Sequence, residues 1–366
     1  MEAVSLEGKL DSNEPGQKRS DLENTAGEVV DSGDAKRPRE GNHDRAIGMD
    51  MVHMDEEEEE EEEEVDMEKY KPFGMYCKNW LYLYGRWATF DEPTDLPPMR
   101  HTDGPVLPIG EEPMDTMEIF FVKVAQITEG IQWPLDVYGD VAVRDSLDHK
   151  RNYLFRRPRE QCQRLTSLQD SLLELTGPSR AVLLLDHPAF EIDLKVKGKE
   201  ESEDKVLCCD VFGYNNIAYN GDASYAITKV ISSDYSAIEV KFAHVTCSLE
   251  ATISIRMTNG SNNFWARLTA RTVSIGEKVV LLDTRGREVS VRDDGQVDLQ
   301  RSVVVVEEQG KLVLGFEAAQ LGDNAQSSIT ASEEMTFRAR SALRSEGNFV
   351  IESTRLHVLV AWSVLP

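Results

Sequence analysis

Absences set the first limits on this 366-residue chain. It has no run of about 18 apolar residues, so no helical membrane span is expected. The opening MEAVSLEGKLDSNEPGQ lacks the apolar centre of a secretory leader. Cysteine is scarce: Cys77, Cys162, Cys208, Cys209 and Cys247, an odd number with no C-x-x-C spacing. Such usage without a leader implies unpaired thiols in a reducing compartment, cytoplasm or nucleus. The sequon at Asn259 then reads as a turn, because glycosylation requires secretion. The seven histidines stand far apart, and no two form a local zinc motif. G-x-S-x-G, H-E-x-x-H, P-loop and G-x-G-x-x-G strings are also missing. Asp136, Asp140, Asp145 and Asp148 lack the twelve-residue EF-hand spacing. The expectation is a protein without cofactor or metal and without a catalytic motif.

Positive charge is in deficit, with a formal net charge of −26. That balance argues against general nucleic-acid binding, which needs local cation density to meet phosphate. The deficit is uneven. Residues 1–69 hold 24 acidic and 8 basic side chains, including nine consecutive glutamates from Glu56 to Glu64. Like charges repel at every spacing and nothing apolar is available to bury, so residues 1–69 are expected to be a disordered acidic arm. It reads either as a solubilising tail or as an arm that binds a basic partner or the protein's own arginines. Inside it, Lys36, Arg37, Pro38 and Arg39 fit a short nuclear-import pattern.

Residues 70–116 form a lead-in. YCKNWLYLYGRWATF is aromatic and is expected to pack as an arm on the main domain. Six prolines between Pro93 and Pro113 then imply an extended connector, since proline offers no backbone donor.

From 117 to 366 the pattern is β. Runs rich in Val, Ile, Thr and aromatics alternate with polar residues and are separated by Gly, Asn, Asp and Ser. In FEIDLKVKG, Phe190, Ile192, Leu194 and Val196 share one face. Glu191, Asp193, Lys195 and Lys197 share the other, which predicts a half-buried strand with one wet face. Asp294-Gly295 marks a tight turn. Long amphipathic helices do not alternate with the strands, so a parallel α/β sheet is disfavoured. Helix is expected only within PREQCQRLTSLQDSLLEL. The predicted fold is all-β: an antiparallel β-sandwich, or two β halves sharing a core with a seam near Val211–Ala223.

Several separated motifs then carry a resemblance. WPLDVYGDVAVRDSLDHKRNYLFRR, Cys162-Gln163, LELTGPSRAVLLLD, FEIDLKVKG, SEDKVL and the terminal VLVAWSVLP occur in the order seen in an uncharacterised plant family, domain of unknown function 6598. The resemblance runs from about Pro97 to Pro366. It implies a compact β-rich module typical of cereals and no activity. Some relatives are joined to ribosome-inactivating N-glycosidase domains, which implies an association with defence or translation control. That chemistry needs a glutamate and an arginine one helical turn apart. GFEAAQL offers Glu317, but Gln320 stands where the cation belongs.

One segment goes against the acidic average. Seven basic residues lie between Arg144 and Arg164, opposed only by Asp145, Asp148 and Glu160. Lys150, Arg151, Tyr153, Arg156, Arg157 and Arg159 are the candidate binding residues, because guanidinium groups beside aromatic rings grip anions and planar groups. The alternative is that the aromatics enter the core and the arginines pair with acidic neighbours. The expected function is a non-enzymatic interaction module with a protein or anionic partner, in plant defence or growth control. The alternative is an accessory or degenerate part of a ribosome-inactivating system.

Overall fold

The computed structural model describes residues 71–104, 111–128, 130–216, 221, 223–321 and 331–365. The acidic stretch 1–69 and the basic motif Lys36–Arg39 lie outside the described residues.

Among the described residues sixteen strands form three antiparallel sheets, as the alternating sequence predicts. The first sheet holds β2 (Leu135–Arg144), β3 (Asn152–Arg157), β4 (Gln163–Leu165), β6 (Ala189–Val196) and β7 (Lys205–Gly213). The second holds β1 (Met114–Ile127), β5 (Val182–Leu183), β8 (Tyr225–Ser232), β9 (Ser236–Asn259), β12 (Val303–Glu307), β15 (Arg344–Ile351) and β16 (Thr354–Ser363). The third holds β10 (Phe264–Thr272), β11 (Val279–Asp283), β13 (Lys311–Gln320) and β14 (Ala331–Arg338).

Two buried clusters form, rather than one shared core. The first joins Ile119, Val122 and Phe242 of the long sheet to Phe155, Phe190 and Ile192. The second joins Ala251, Ile253 and Trp362 to Phe264, Leu268 and Phe316. Phe242 belongs to one cluster and its neighbour Ala243 to the other; so do Val182 and Leu183. Successive strand residues point to opposite faces, so this part of the long sheet lies between the two cores. The 24-residue strand β9 serves both. Its register against β1 slips between Thr116↔Val245 and Met114↔Ser248, and Cys247 there adopts φ +43°. This is a β-bulge, which bends a strand locally.

The Asp294-Gly295 turn forms as expected. Gly295 has φ +85°, and an added Cβ would meet the Met257 carbonyl oxygen at 2.8 Å. Helix appears where the sequence did not announce it. The aromatic lead-in forms α1 (Lys71–Tyr84), with Trp80 as its buried residue. Conversely, PREQCQRLTSLQDSLLEL holds one short helical turn, Arg159–Gln161, before β4. The Gln163 side chain donates to the Leu172 carbonyl at 2.9 Å and accepts from the Glu174 amide at 2.9 Å. Its amide thus substitutes for backbone pairing, while Leu165, Leu173 and Leu175 enter the first core.

Candidate functional site

The polar face of β6 organises a densely bonded region of the protein. The predicted wet face is wet at Lys195 and partly so at Asp193 and Lys197, but Glu191 is covered by the lead-in and is 2% exposed. Alternation placed its carboxylate away from the core correctly, but the 71–104 segment folds back over that side. Arg144, at the end of β2, donates through Nε to Glu191, and Arg151 donates its own Nε to the same carboxylate at 2.6 Å. Both guanidiniums are buried. The Arg144 guanidinium lies 4.5 Å from the ring centres of Trp80 and Phe90, and that of Arg151 lies 4.5 Å from Phe90. Two aromatic faces thus cover cations that the sheet alone would leave in water. The remaining Arg144 donors reach the His149 carbonyl at 2.9 Å and the Phe90 carbonyl at 2.6 Å.

The connector is tied down in the same manner. Arg151 pairs with Asp91 at 2.7 Å, and Lys150 pairs with Glu92 at 2.5 Å and with Asp95. The Tyr153 hydroxyl donates to the Asp91 carbonyl at 2.9 Å. A second knot lies alongside. Buried Arg180 donates to Asp145 at 2.6 and 2.9 Å and to Asp148 at 3.2 Å. Buried Glu250 accepts the amides of Met99 and Ala181, each at 2.8 Å. Burial raises the Glu250 carboxyl above its ordinary range, against these two amide bonds.

The candidate basic residues therefore separate. Lys150, Arg151 and Tyr153 hold the connector to the sheet. Arg157 pairs with Glu174 at 2.6 Å. Arg159 pairs with Asp204 at 2.7 Å, and that contact, with a bond from Tyr138, holds the Asp204 carboxyl well below the usual carboxylate range. Arg156 is the most exposed cation of the set, with 52% of its side chain accessible. It lies 4.3 Å over the Tyr153 ring and 3.8 Å from Asp140. Phe155 is fully buried. Five cations close in sequence thus become a row of ion pairs with one open guanidinium.

Two features left no sequence signal. The first is a hydrogen-bonded chain in which His244, buried in β9, joins Asp115 at 2.8 Å to Tyr214 at 3.0 Å, and Tyr214 meets Tyr225 at 2.6 Å. The second is a set of exposed apolar side chains on α1 and the turn after it. Met75, Leu81, Tyr82, Leu83 and Trp87 are 56%, 48%, 87%, 54% and 76% exposed. The 3.6-residue period was hidden because apolar residues occur on both sides of this helix. Among the described residues no cluster of three or more His, Cys, Asp or Glu is arranged to hold a metal. Asp136, Asp140, Asp145 and Asp148 each face arginine instead. Glu317 lies on β13 with Arg267 of β10 directly opposite. No helix among the described residues is long and apolar enough to cross a membrane. The five cysteines are free.

Residues 116–360 match the family model described as Domain of unknown function (DUF6598). No curated protein matches the chain. Among solved structures, human GIVD cytosolic phospholipase A2 is similar at 8% identity and a TM-score of 0.20. That match covers 70% of this chain and 33% of the phospholipase, so the chain spans about a third of that protein's length. A pair of C2 domains from Extended-Synaptotagmin 2 is similar at 7% identity and a TM-score of 0.23, covering 75% of this chain and 100% of that one. Likenesses this distant carry no argument about function.

Proposed function

The chain belongs to the DUF6598 family, whose description names no activity, and from that premise we propose that it is a non-enzymatic β-rich interaction module. The observation that carries this reading is the exposure of the apolar side chains Met75, Leu81, Tyr82, Leu83 and Trp87 on α1 and the turn after it. Large apolar side chains exposed together on one short helix and the turn after it are the kind of surface at which another molecule sits. Tyrosine and tryptophan are the residues that dominate binding energy at protein interfaces. The knot of Arg144, Arg151 and Glu191 beneath the helix holds it in one orientation, which lowers the ordering cost of association. Lys78 and Arg86, both exposed, interrupt the apolar surface and supply a polar rim. Five free cysteines support a reducing compartment, cytoplasm or nucleus. A plant defence or growth-control setting rests on the family resemblance alone.

Affinity capture with the full chain, compared with a Tyr82→Lys, Trp87→Lys variant of unchanged melting temperature, tests the reading. A set of bound proteins retained by the first and lost by the second is expected. Identical capture by both would refute it. So would release of adenine from ribosomes by the purified chain that disappears in Glu317→Ala.

A further inference from the structure

A strand at the end of a sheet offers backbone groups to another strand, and its side chains decide whether one is accepted. Charge guards several sheet ends in this chain: β3 carries Arg156 and Arg157, β14 carries Glu333 and Glu334, and β15 carries Arg344 and Glu346. The eight-residue strand β8 is different. It pairs with β9 and with no other strand among the described residues. Its one charged residue is Lys229, which shares the inner side with Ile227 and Ile231 and sets its ammonium 5.9 Å from the Phe212 ring.

The strand is also regular. Its register against β9 runs unbroken from Tyr225↔His244 to Ser232↔Ala237, with no bulge and no proline. At the neck of this hairpin the Ser233 amide donates to the Ser236 carbonyl at 2.8 Å, which makes those two residues a bonded pair. Bonded and non-bonded positions alternate along an antiparallel ladder. Ile231, Lys229 and Ile227 therefore direct their amides and carbonyls to β9. Ser232, Val230, Thr228 and Ala226 direct theirs away from it. All four are exposed, Val230 to 51%, and their outward backbone groups have no partner among the described residues. Ile231 lies in the first core and Ile227 packs against it, so the side chains of these four lie on the opposite side of the sheet.

The row Ala226, Thr228, Val230 names its occupant, because it has an aliphatic residue on either side of a threonine and so fits itself. A second β8, antiparallel and related by a two-fold axis at Thr228, sets Thr228 against Thr228 and Ala226 against Val230, and such hydroxyl and aliphatic pairs are favourable across a seam. In that register every outward amide meets an outward carbonyl. Lys229 then falls opposite Ile227, so no like charges are opposed, whereas an axis one residue further along would oppose two Lys229 ammonium groups. A charged partner strand would find no counter-charge in this row.

We infer that β8 is a homodimerisation edge: two copies of this chain join antiparallel through β8, about a two-fold axis at Thr228, and their long sheets run on as one. The contact uses none of the exposed side chains on α1 and does not depend on the interaction-module reading. Being two-fold, it occupies the β8 edge of both copies and closes there.

The test is sedimentation velocity of the full chain from about 1 to about 100 μM, a range that populates even a weak complex. The native chain is expected to pass from monomer to dimer across it. Val230→Lys is expected to weaken the dimer at least about tenfold, because two charges enter the seam without partners. Adding Ala226→Glu to that variant is expected to restore the dimer, since residue 226 of one copy lies opposite residue 230 of the other. Thr228→Pro removes an outward donor and none of the bonds to β9, so it is expected to give a monomer with the native circular dichroism spectrum. If that variant fails to fold, Val230→Lys decides. Residue-resolved amide exchange supplies a second reading: Ala226, Thr228, Val230 and Ser232 are expected to exchange fast in the monomer and to slow as concentration rises. A chain that stays monomeric throughout overturns the inference. So do slow exchange of these four amides at every concentration, which would mean that one copy covers its own edge, and a failure of Ala226→Glu to restore the dimer. A dimer that persists in Val230→Lys, or is lost instead in Tyr82→Lys, Trp87→Lys, forms elsewhere and overturns it as well.

Discussion

The indole N–H of Trp80 donates to the backbone carbonyl of His149 at 2.9 Å, 69 residues away in sequence. His149 has φ +55°, and its carbonyl also accepts from Arg144 at 2.9 Å, so one turn receives both the helix and the buried guanidinium. Trp80 is also one of the two rings over Arg144. Trp80→Phe keeps an aromatic face and loses the indole bond, for an expected loss of about 1 kcal/mol. Trp80→Ala removes the face as well, for an expected loss of about 3–5 kcal/mol. Urea unfolding of both variants gives these values. Trypsin cleavage after exposed Arg86 should accelerate in the alanine variant. Equal stability of the three proteins would mean that α1 is not anchored through Trp80.

Glu118 on β1 pairs at 3.4 Å with Arg301 and accepts the Val305 amide at 2.7 Å, and both side chains are buried. Burial outweighs these contacts and pushes its carboxyl up to about 7, from an ordinary 4.5. The folded protein therefore binds this proton more tightly than the unfolded chain does. Stability from this group is highest below pH 4.5, falls as pH rises from 4.5 to 7, and is level above. The total change is of the order of 3 kcal/mol. Denaturation midpoints between about pH 5 and 8 should slope downward in the native sequence. Glu118→Gln cannot titrate and should flatten that component, whatever its absolute stability. An unchanged slope in the variant would assign the dependence elsewhere.

The sheets were legible because strand alternation is a local property. Phe190, Ile192 and Leu194 face the first core as their spacing demands. The division into two cores was not legible, because β9 carries apolar residues on both faces and its pattern alone does not say which sheet covers which face. At the candidate site, the charge of the 144–164 stretch was visible and its use was not. The partners of Lys150, Arg151, Arg157 and Arg159 are Glu92, Asp91, Glu191, Glu174 and Asp204, from 17 to 60 residues away. No spacing rule links such pairs. The cover over Glu191 comes from a segment whose helical period its own apolar surplus obscures.

The free thiols should react at very different rates. Cys208 lies in the first core, and burial pushes its thiol up to about 12; burial likewise raises Cys209 to about 12 and Cys77 to about 11. Their thiolate populations at about pH 8 are correspondingly small. Cys247 is exposed at the β9 bulge. With an aromatic disulfide reagent on the folded protein at about pH 8, Cys247 should account for the fast phase, and Cys247→Ser should remove it. All five should react after denaturation. A fast phase that persists in Cys247→Ser would show that one of the covered thiols is reached through local opening.

The row of ion pairs on the basic stretch implies unequal consequences for residues of the same type. Arg151 is 4% exposed and shares Glu191 with Arg144, so Arg151→Met deletes one of two cations on a buried carboxylate. Removing one member of a buried ionic group costs about 3–5 kcal/mol, because the others keep their desolvation and lose their attraction. Glu191→Gln should cost at least as much, since it leaves two buried guanidiniums facing a neutral amide. Arg156 has only a loose contact with Asp140 at 3.8 Å and a stacked position on Tyr153. Arg156→Ala should therefore change stability by no more than about 0.5 kcal/mol. If Arg156 has a role in binding an anionic group, Arg156→Glu should weaken that binding at low salt without a change in melting temperature, since exposed charges are screened over about 8 Å at physiological ionic strength. Calorimetry on the four variants separates the cases. A stability loss for Arg156→Ala as large as that for Arg151→Met would show that the exposed arginine is part of the buried knot, and the division of the stretch into connector ties and one open guanidinium would not hold.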